Sequence, residues 1–151
     1  MNANMHITVA VVVESAGQFL MVEERVGGAI MLNQPARHLE PGESLIEAAI
    51  RETLEETARS FEPEGLLGIY HANQPDSTWL RFAFVGRVGE PDRSRALEEG
   101  VVEARFMSLD EIRARQSAHR SPFVMACVHD YLAGHRLPLS TLKYFDLRGK
   151  S

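Results

Sequence analysis

Residues 43–56 read Glu-Ser-Leu-Ile-Glu-Ala-Ala-Ile-Arg-Glu-Thr-Leu-Glu-Glu, and the rest of the chain is best understood outward from them. In a helix each residue turns about 100°, so Glu52, Glu55 and Glu56, at i, i+3 and i+4, share one face. Ile46, Ile50 and Leu54 share the opposite side and are expected to form the apolar stripe. Ser44 and Glu47 have the spacing of a capping box, which predicts a helix over about 45–58, and Pro63 keeps it from running past Ser60. Three like charges this close repel one another in the bare protein. The arrangement suits a hard divalent cation, Mg²⁺ or Mn²⁺, which takes carboxylate oxygens and keeps positions to share with a phosphate.

An acidic helix face is more often plain solvated surface. Here its neighbours favour a site. The loop 34–42, which carries two prolines and ends in Gly42, delivers the chain to the helix, and Arg51 sits inside the acidic cluster. Upstream, the β-branched run 6–13 predicts a strand buried on both faces. Gly17 marks a turn, 18–23 returns as a second strand, and the two are expected to pair as a hairpin. Gly27-Gly28 breaks the chain before a short strand over 29–33.

Downstream, 64–72 and 78–88 read as strands, the second alternating Trp79, Arg81, Ala83 and Val85 with Leu80, Phe82 and Phe84. A polar stretch, 89–100, is expected to be a surface loop, followed by a strand over 101–107. Ser108 and Glu111 form a second capping-box pattern, and Ser121-Pro122 opens a third helix that Gly134 terminates. The expectation is an α/β fold in which helices pack on a mixed sheet, all within a single domain.

The chain has 151 residues, of which 44% are hydrophobic and 25% charged, with a net charge of −5. This is the composition of an ordinary globular protein, and it argues against a nucleic-acid polymer as partner. A phosphorylated substrate needs a cation to mediate its binding to such an acidic chain. The single cysteine, Cys127, excludes an intrachain disulfide and, among apolar neighbours, reads as a buried thiol. No membrane span and no signal peptide are expected, so the cytoplasm is the expected location. A monomer or a homodimer fits equally well.

These residues resemble the box of the Nudix hydrolase family: Gly, five residues, Glu, seven residues, then Arg-Glu-hydrophobic-x-Glu-Glu-x-Gly-hydrophobic. Glu43, seven residues, and Arg51-Glu52-Thr53-Leu54-Glu55-Glu56 keep the central spacing without a gap. Within the family, Leu32-Asn33-Gln34-Pro35-Ala36, His38-Leu39-Glu40, Arg120-Ser121-Pro122 and Leu137-Pro138-Leu139 are similar to segments of the bacterial NudJ-type phosphatases. Three positions depart from the box. Arg37 stands at the first glycine, Ala58 at the second, and Arg59 at the hydrophobic residue after it. Arg37 is expected to swing outward or to pair with a nearby glutamate, the alternative being that its bulk and charge impair metal binding. Ala58 costs about 1 kcal/mol if the left-handed conformation is kept.

The resemblance implies an α/β/α sandwich with a central mixed sheet. It also implies a Mg²⁺-dependent hydrolase that cuts a phosphoanhydride of a small phosphorylated metabolite. Nucleoside di- and triphosphates and thiamine-pathway pyrophosphates are the expected substrates. A nucleoside diphosphate sugar, or a non-catalytic nucleotide-binding module on the same fold, are the alternatives. By the same resemblance, Glu52, Glu55, Glu56 and the Ala36 carbonyl hold the metal, Arg51 holds carboxylates in place, and Glu43 serves the site from the helix start. The base that deprotonates the attacking water is a box glutamate or a later acid, Glu98 or Glu99. Tyr70, Trp79, Arg81 and Arg120 are the expected substrate-binding residues, because an aromatic face can stack on a base and a cation can meet phosphate, with core packing as the competing role for Tyr70.

Overall fold

The structure is a computed structural model that describes residues 4–149. Eight strands, β1 (Met5–Val12), β2 (Glu14–Ser15), β3 (Gln18–Val26), β4 (Ala29–Asn33), β5 (Ala36–His38), β6 (Phe61–Gln74), β7 (Ser77–Val88) and β8 (Val101–Ser108), accompany three α-helices. The helices are α1 (Leu45–Thr57), α2 (Leu109–Ala114) and α3 (Phe123–Leu132). One sheet has the order β5-β1-β7-β6 and is mixed, since β1 runs parallel to β7 while β5 and β6 run antiparallel to their neighbours. The other is antiparallel, with β3 between β4 and β8 and β2 continuing beside β3.

The strand periodicity builds the layers. On β1 and β7, Val9, Val11 and Phe84 face a core cluster that includes Ala48 and Ala49 of α1. Val12, Ala83 and Val85 face a second cluster with Ile112 of α2 and Val124, Cys127 and Val128 of α3. The mixed sheet is therefore covered on both faces, as parallel pairing requires. The thiol of Cys127 is free and buried, as its apolar neighbours foretold.

The expected hairpin between 6–13 and 18–23 does not form. β1 is buried on both sides and takes the centre of the mixed sheet, while 18–26 joins the other sheet. What remains is a tight return: Ala16 and Gly17 both adopt positive φ (52° and 78°), the requirement of a two-residue primed turn joining β2 to β3. Gly27 and Gly28 repeat the device between β3 and β4. The loop 34–42 also carries an element missed in the sequence, the short strand β5, which pairs with β1 through Val9↔Arg37.

α1 begins as its sequence predicts. The Ser44 hydroxyl accepts the Glu47 amide, and the Glu47 carboxylate accepts the Ser44 amide at 2.8 Å. It ends at Ala58, which takes the left-handed conformation (φ 59°, ψ 24°) that a glycine would adopt more easily. The expected apolar stripe is only partly buried, with Ile46 packed against the core cluster, and the fully buried face is another. α1 buries Ala48, Ala49, Glu52, Thr53, Glu56 and Thr57, whereas Ile50 is 39% exposed. The small alanines let the helix lie close on the sheet, and this turns Glu52 and Glu56 inward rather than to solvent. Thr53 and Thr57 satisfy their hydroxyls on the Ala49 and Thr53 carbonyls of the preceding turn. At α2, Ser108 caps the Glu111 amide, but the Glu111 carboxylate is drawn instead to Arg105, so only half of the second box forms.

Because the Ser44 hydroxyl satisfies one of the orphan amides of α1, Ser44→Ala is expected to cost about 1 kcal/mol of stability. Urea denaturation checks this, and an unchanged midpoint would show that tertiary packing alone fixes the helix start.

Candidate active site

The chain crosses from one sheet to the other at Gln34-Pro35, between β4 and β5, and α1 lays its inner face against this crossing. Glu56 reaches it directly: Oε1 accepts the Ala36 amide at 2.8 Å and Oε2 accepts Nε of Arg37 at 3.0 Å. Arg37, at the position of the box glycine, thus pairs with a glutamate. Its Nη2 also lies 4.0 Å from Oε1 of Glu98, in the loop after β7. That loop follows α1, with the Glu98 amide donating to the Glu55 carbonyl at 2.8 Å.

Glu52 differs from Glu56. It is wholly buried, and neither carboxylate oxygen has a hydrogen-bond partner. Burial, reinforced by the charge of Glu56, pushes its carboxyl well above the usual carboxylate range against the pull of Arg81, Arg51 and Arg37. Burial likewise raises Glu56, up to about 7; the Ala36 amide and Arg37 oppose the rise while Glu24 adds to it. Two buried, unpartnered carboxylate oxygens beside a second acid are costly without a cation or a proton. A hard divalent ion fits this donor set.

Arg51 gathers the outer acids. Its Nε and Nη2 fork onto Glu43 at 2.9 and 2.8 Å, and its Nη1 reaches Glu55 at 2.7 Å and Glu40 at 3.2 Å. The guanidinium holds the Glu43 carboxyl below its ordinary value. Glu55 is thereby turned toward Arg51, so the face that predicted three converging ligands is divided. Among the described residues no three His, Cys, Asp or Glu side chains gather as they stand into a set able to hold an ion.

A cavity of about 310 Å³ opens beside this acidic seam. Ala36, Arg37 and His38 of β5 line one wall, Trp79 and Arg81 of β7 its floor, and Arg120, Ser121, Pro122 and Phe123 the rim before α3. Arg81 is only 4% exposed and is fixed by Asn33 (3.0 Å) and Gln34 (2.9 Å), whose own amide group donates to the Val124 carbonyl. Its Nε is buried without a partner. Trp79 stacks on His6 with ring centroids 3.9 Å apart, and His6 hydrogen-bonds His38 at 2.9 Å.

Of the four expected substrate-binding residues, Trp79, Arg81 and Arg120 line the cavity and Tyr70 does not. The Tyr70 hydroxyl donates to Asp130 at 2.7 Å and its ring packs toward Phe123, because residue 70 of β6 faces α3; Ala72 and Gln74, further along the strand, reach the cavity instead. Glu24 is a cavity residue that the sequence did not single out. Strand alternation sends the two neighbours to opposite faces: Glu23 pairs with Arg105 and Arg115, and Glu24 pairs with Arg120 at 3.6 Å in the cavity lining. The only prior signal for it was one acid beside another in an otherwise apolar strand.

A family model described as the NUDIX domain matches residues 4–127. The chain belongs to the Nudix hydrolase family. It is 38% identical to Phosphatase NudJ of Escherichia coli (strain K12) over 142 residues, covering 93% of this chain and 92% of that protein, and equally similar to Phosphatase NudJ of Shigella sonnei. A solved Nudix hydrolase from Nitrosomonas europaea superposes with a TM-score of 0.90 at 53% identity, over 93% of this chain and 97% of that one. The MutT protein from Methanosarcina mazei shares the fold, with a TM-score of 0.72 at 20% identity over 90% of this chain and 99% of that one. The chain is thus a hydrolase, and the reading of a non-catalytic binding module falls away. Among the described residues no helix is long and apolar enough to cross a membrane.

The raised acids give a signed pH dependence. With Glu56 held near 7 when folded and near 4.5 when unfolded, the metal-free folded state binds more protons between those values. This contribution to stability is fully present below pH 4.5, is lost as pH rises toward 7, and stays lost above it. The melting temperature of the metal-free protein is therefore expected to fall from pH 5 to pH 8, and added Mg²⁺ to raise it most at pH 8. A melting temperature that is flat with pH and indifferent to Mg²⁺ would contradict the electrostatics described.

Proposed function

We propose that the protein is a Mg²⁺-dependent phosphatase that cuts a phosphoanhydride of a small metabolite bearing a heteroaromatic ring. The leading substrates are a nucleoside di- or triphosphate and a thiamine-pathway pyrophosphate. The observation that carries this reading is the pair of unpartnered, buried oxygens of Glu52, set beside a cavity that holds three guanidinium groups and an indole. The resemblance to Phosphatase NudJ supports orthophosphate as the product.

Each residue has a task that follows from its surroundings. Glu52 would be the principal oxygen donor to the metal, with Glu56 and the Ala36 carbonyl beside it, and Glu55 would join them by turning from Arg51. When bound, Mg²⁺ polarises phosphoryl oxygens and offsets the charge that develops on the leaving phosphate. Arg81, fixed by Asn33 and Gln34, presents a positive floor that cannot swing away. Arg120 supplies a second cation at the rim. The flat face of Trp79, steadied by His6, receives the ring of the substrate. Glu98, half-exposed and adjoining the Glu56–Arg37 pair, is placed to take the proton of the attacking water, while Glu99 is more exposed. Arg51 and Glu43 position Glu55 and do not meet substrate.

Incubation with Mg²⁺ and a panel of nucleoside di- and triphosphates, thiamine-type pyrophosphates and nucleoside diphosphate sugars, scored separately for orthophosphate and pyrophosphate, tests the reading. Orthophosphate release that disappears in Glu52→Gln is the expected result. Pyrophosphate as the product, or cleavage confined to the sugar conjugates, would replace the phosphatase assignment. Trp79→Ala is expected to raise KM about 10-fold with little change in kcat, since stacking on an aromatic contributes about 1–3 kcal/mol of binding. An unchanged KM would remove Trp79 from the substrate site.

A further inference from the structure

Glu52 and Glu56 lie one helical turn apart on the same buried face, yet their surroundings treat them oppositely. Neither oxygen of Glu52 has a partner, whereas both oxygens of Glu56 are taken, one by the Ala36 amide and one by Arg37. The Arg37 side chain is 34% exposed and the Glu56 side chain 1%, so the anion is fixed and the cation enters from the open side. The other arm of the same guanidinium comes within 4.0 Å of Glu98. One arginine therefore bridges the helix acid and the loop acid at the wall of the cavity.

This bridge is not a by-product of backbone geometry. Residue 37 pairs with Val9 in β5 and is not among the residues with positive φ, so the strand accepts a side chain here without strain. What a side chain changes is charge. A guanidinium and a hard divalent ion seek the same carboxylate oxygens and repel each other at contact range, so they cannot both sit on Glu56 without conflict.

We infer that Arg37 is a resident cation that competes with the divalent metal for Glu56, so that the wild-type site recruits metal through Glu52 first and admits it to Glu56 only by displacing Arg37. The inference rests on the metal-dependent reading proposed above, but it concerns binding and not turnover. It makes Arg37 a positioning residue: it sets how tightly the acidic seam holds its metal, and its side chain, once displaced, is free to turn toward an anion in the cavity it already lines.

The test is a titration of the substrate-free protein with Mn²⁺ at pH 8, with bound ion counted from the loss of the free Mn²⁺ electron paramagnetic resonance signal. Arg37→Gly is expected to lower the half-saturating Mn²⁺ concentration at least ~10-fold, and Arg37→Gln, which keeps bulk in β5 while removing the charge, to do much the same. Arg37→Lys, retaining the cation, should stay near wild type. Circular dichroism confirms that each variant is folded. Affinities of Arg37→Gly and Arg37→Gln within ~2-fold of wild type would make the bridge an ordinary surface ion pair and overturn the inference. So would Arg120→Gln tightening Mn²⁺ binding as much as Arg37→Gln, because the effect would then be a general field and not competition at Glu56. Tighter Mn²⁺ binding in Arg37→Gly with no phosphate released from any compound of the panel would uphold the inference and count against the proposed reaction.

Discussion

The hydrogen bond from the Ala36 amide to the buried carboxylate of Glu56 joins the parts of this protein that everything else depends on. It ties the last turn of α1 to the first residue of β5, where the chain has just left one sheet for the other. The helix, the crossing and the cavity wall therefore share a single anchor. A carboxylate in this role is paid for by desolvation, since it must sit where water does not reach. Its neighbour Glu52 bears the same burial with no hydrogen bond at all. Two apolar side chains of similar size would often serve stability as well or better, so stability does not account for the pair.

Three arginines from different parts of the chain share the compensation. Arg51 works outside the seam on Glu43 and Glu55, Arg37 bridges Glu56 and Glu98 at its edge, and Arg81 lies beneath it among Asn33, Gln34 and Cys127. Their consequences differ with burial. Arg81 has almost no freedom, so it contributes a permanent positive floor. Arg37 is open to solvent on one side, so its contribution can be exchanged for another cation.

The fold was legible wherever short-range rules decide it. The capping box at Ser44, the glycine pair at 27–28 and the alternation along 78–88 all use local geometry, and each element formed close to its expected bounds. The errors lie where partners distant in sequence decide the outcome. β1 and β3 looked like a hairpin because they are adjacent in the chain, but a strand buried on both faces needs two flanking strands, and β1 found them in β5 and β7. The apolar stripe of α1 was misread for a related reason. Hydrophobicity alone favoured Ile50, whereas close approach to the sheet favoured Ala48 and Ala49. Three of the four expected substrate residues reached the cavity through the strand alternation and the α3 lead-in. Tyr70 was lost to Asp130, sixty residues away and invisible to any local pattern, and Glu24 meets its partner Arg120 only through tertiary packing.

The two alanines near the start of α1 have a consequence for how much substitution this molecule can accept. Both are fully buried in the core cluster, and their small side chains set the stand-off between helix and sheet, and with it the depth at which Glu52 and Glu56 sit. Functional carboxylates tolerate displacement of only about 0.5 Å, less than one added methylene would impose on a fully packed interface. Ala48 and Ala49 therefore act as spacers of fixed thickness. A larger side chain at either position would push the helix off the sheet and the acids with it, whereas Ile50, exposed on the outer side of the same helix, has room to change.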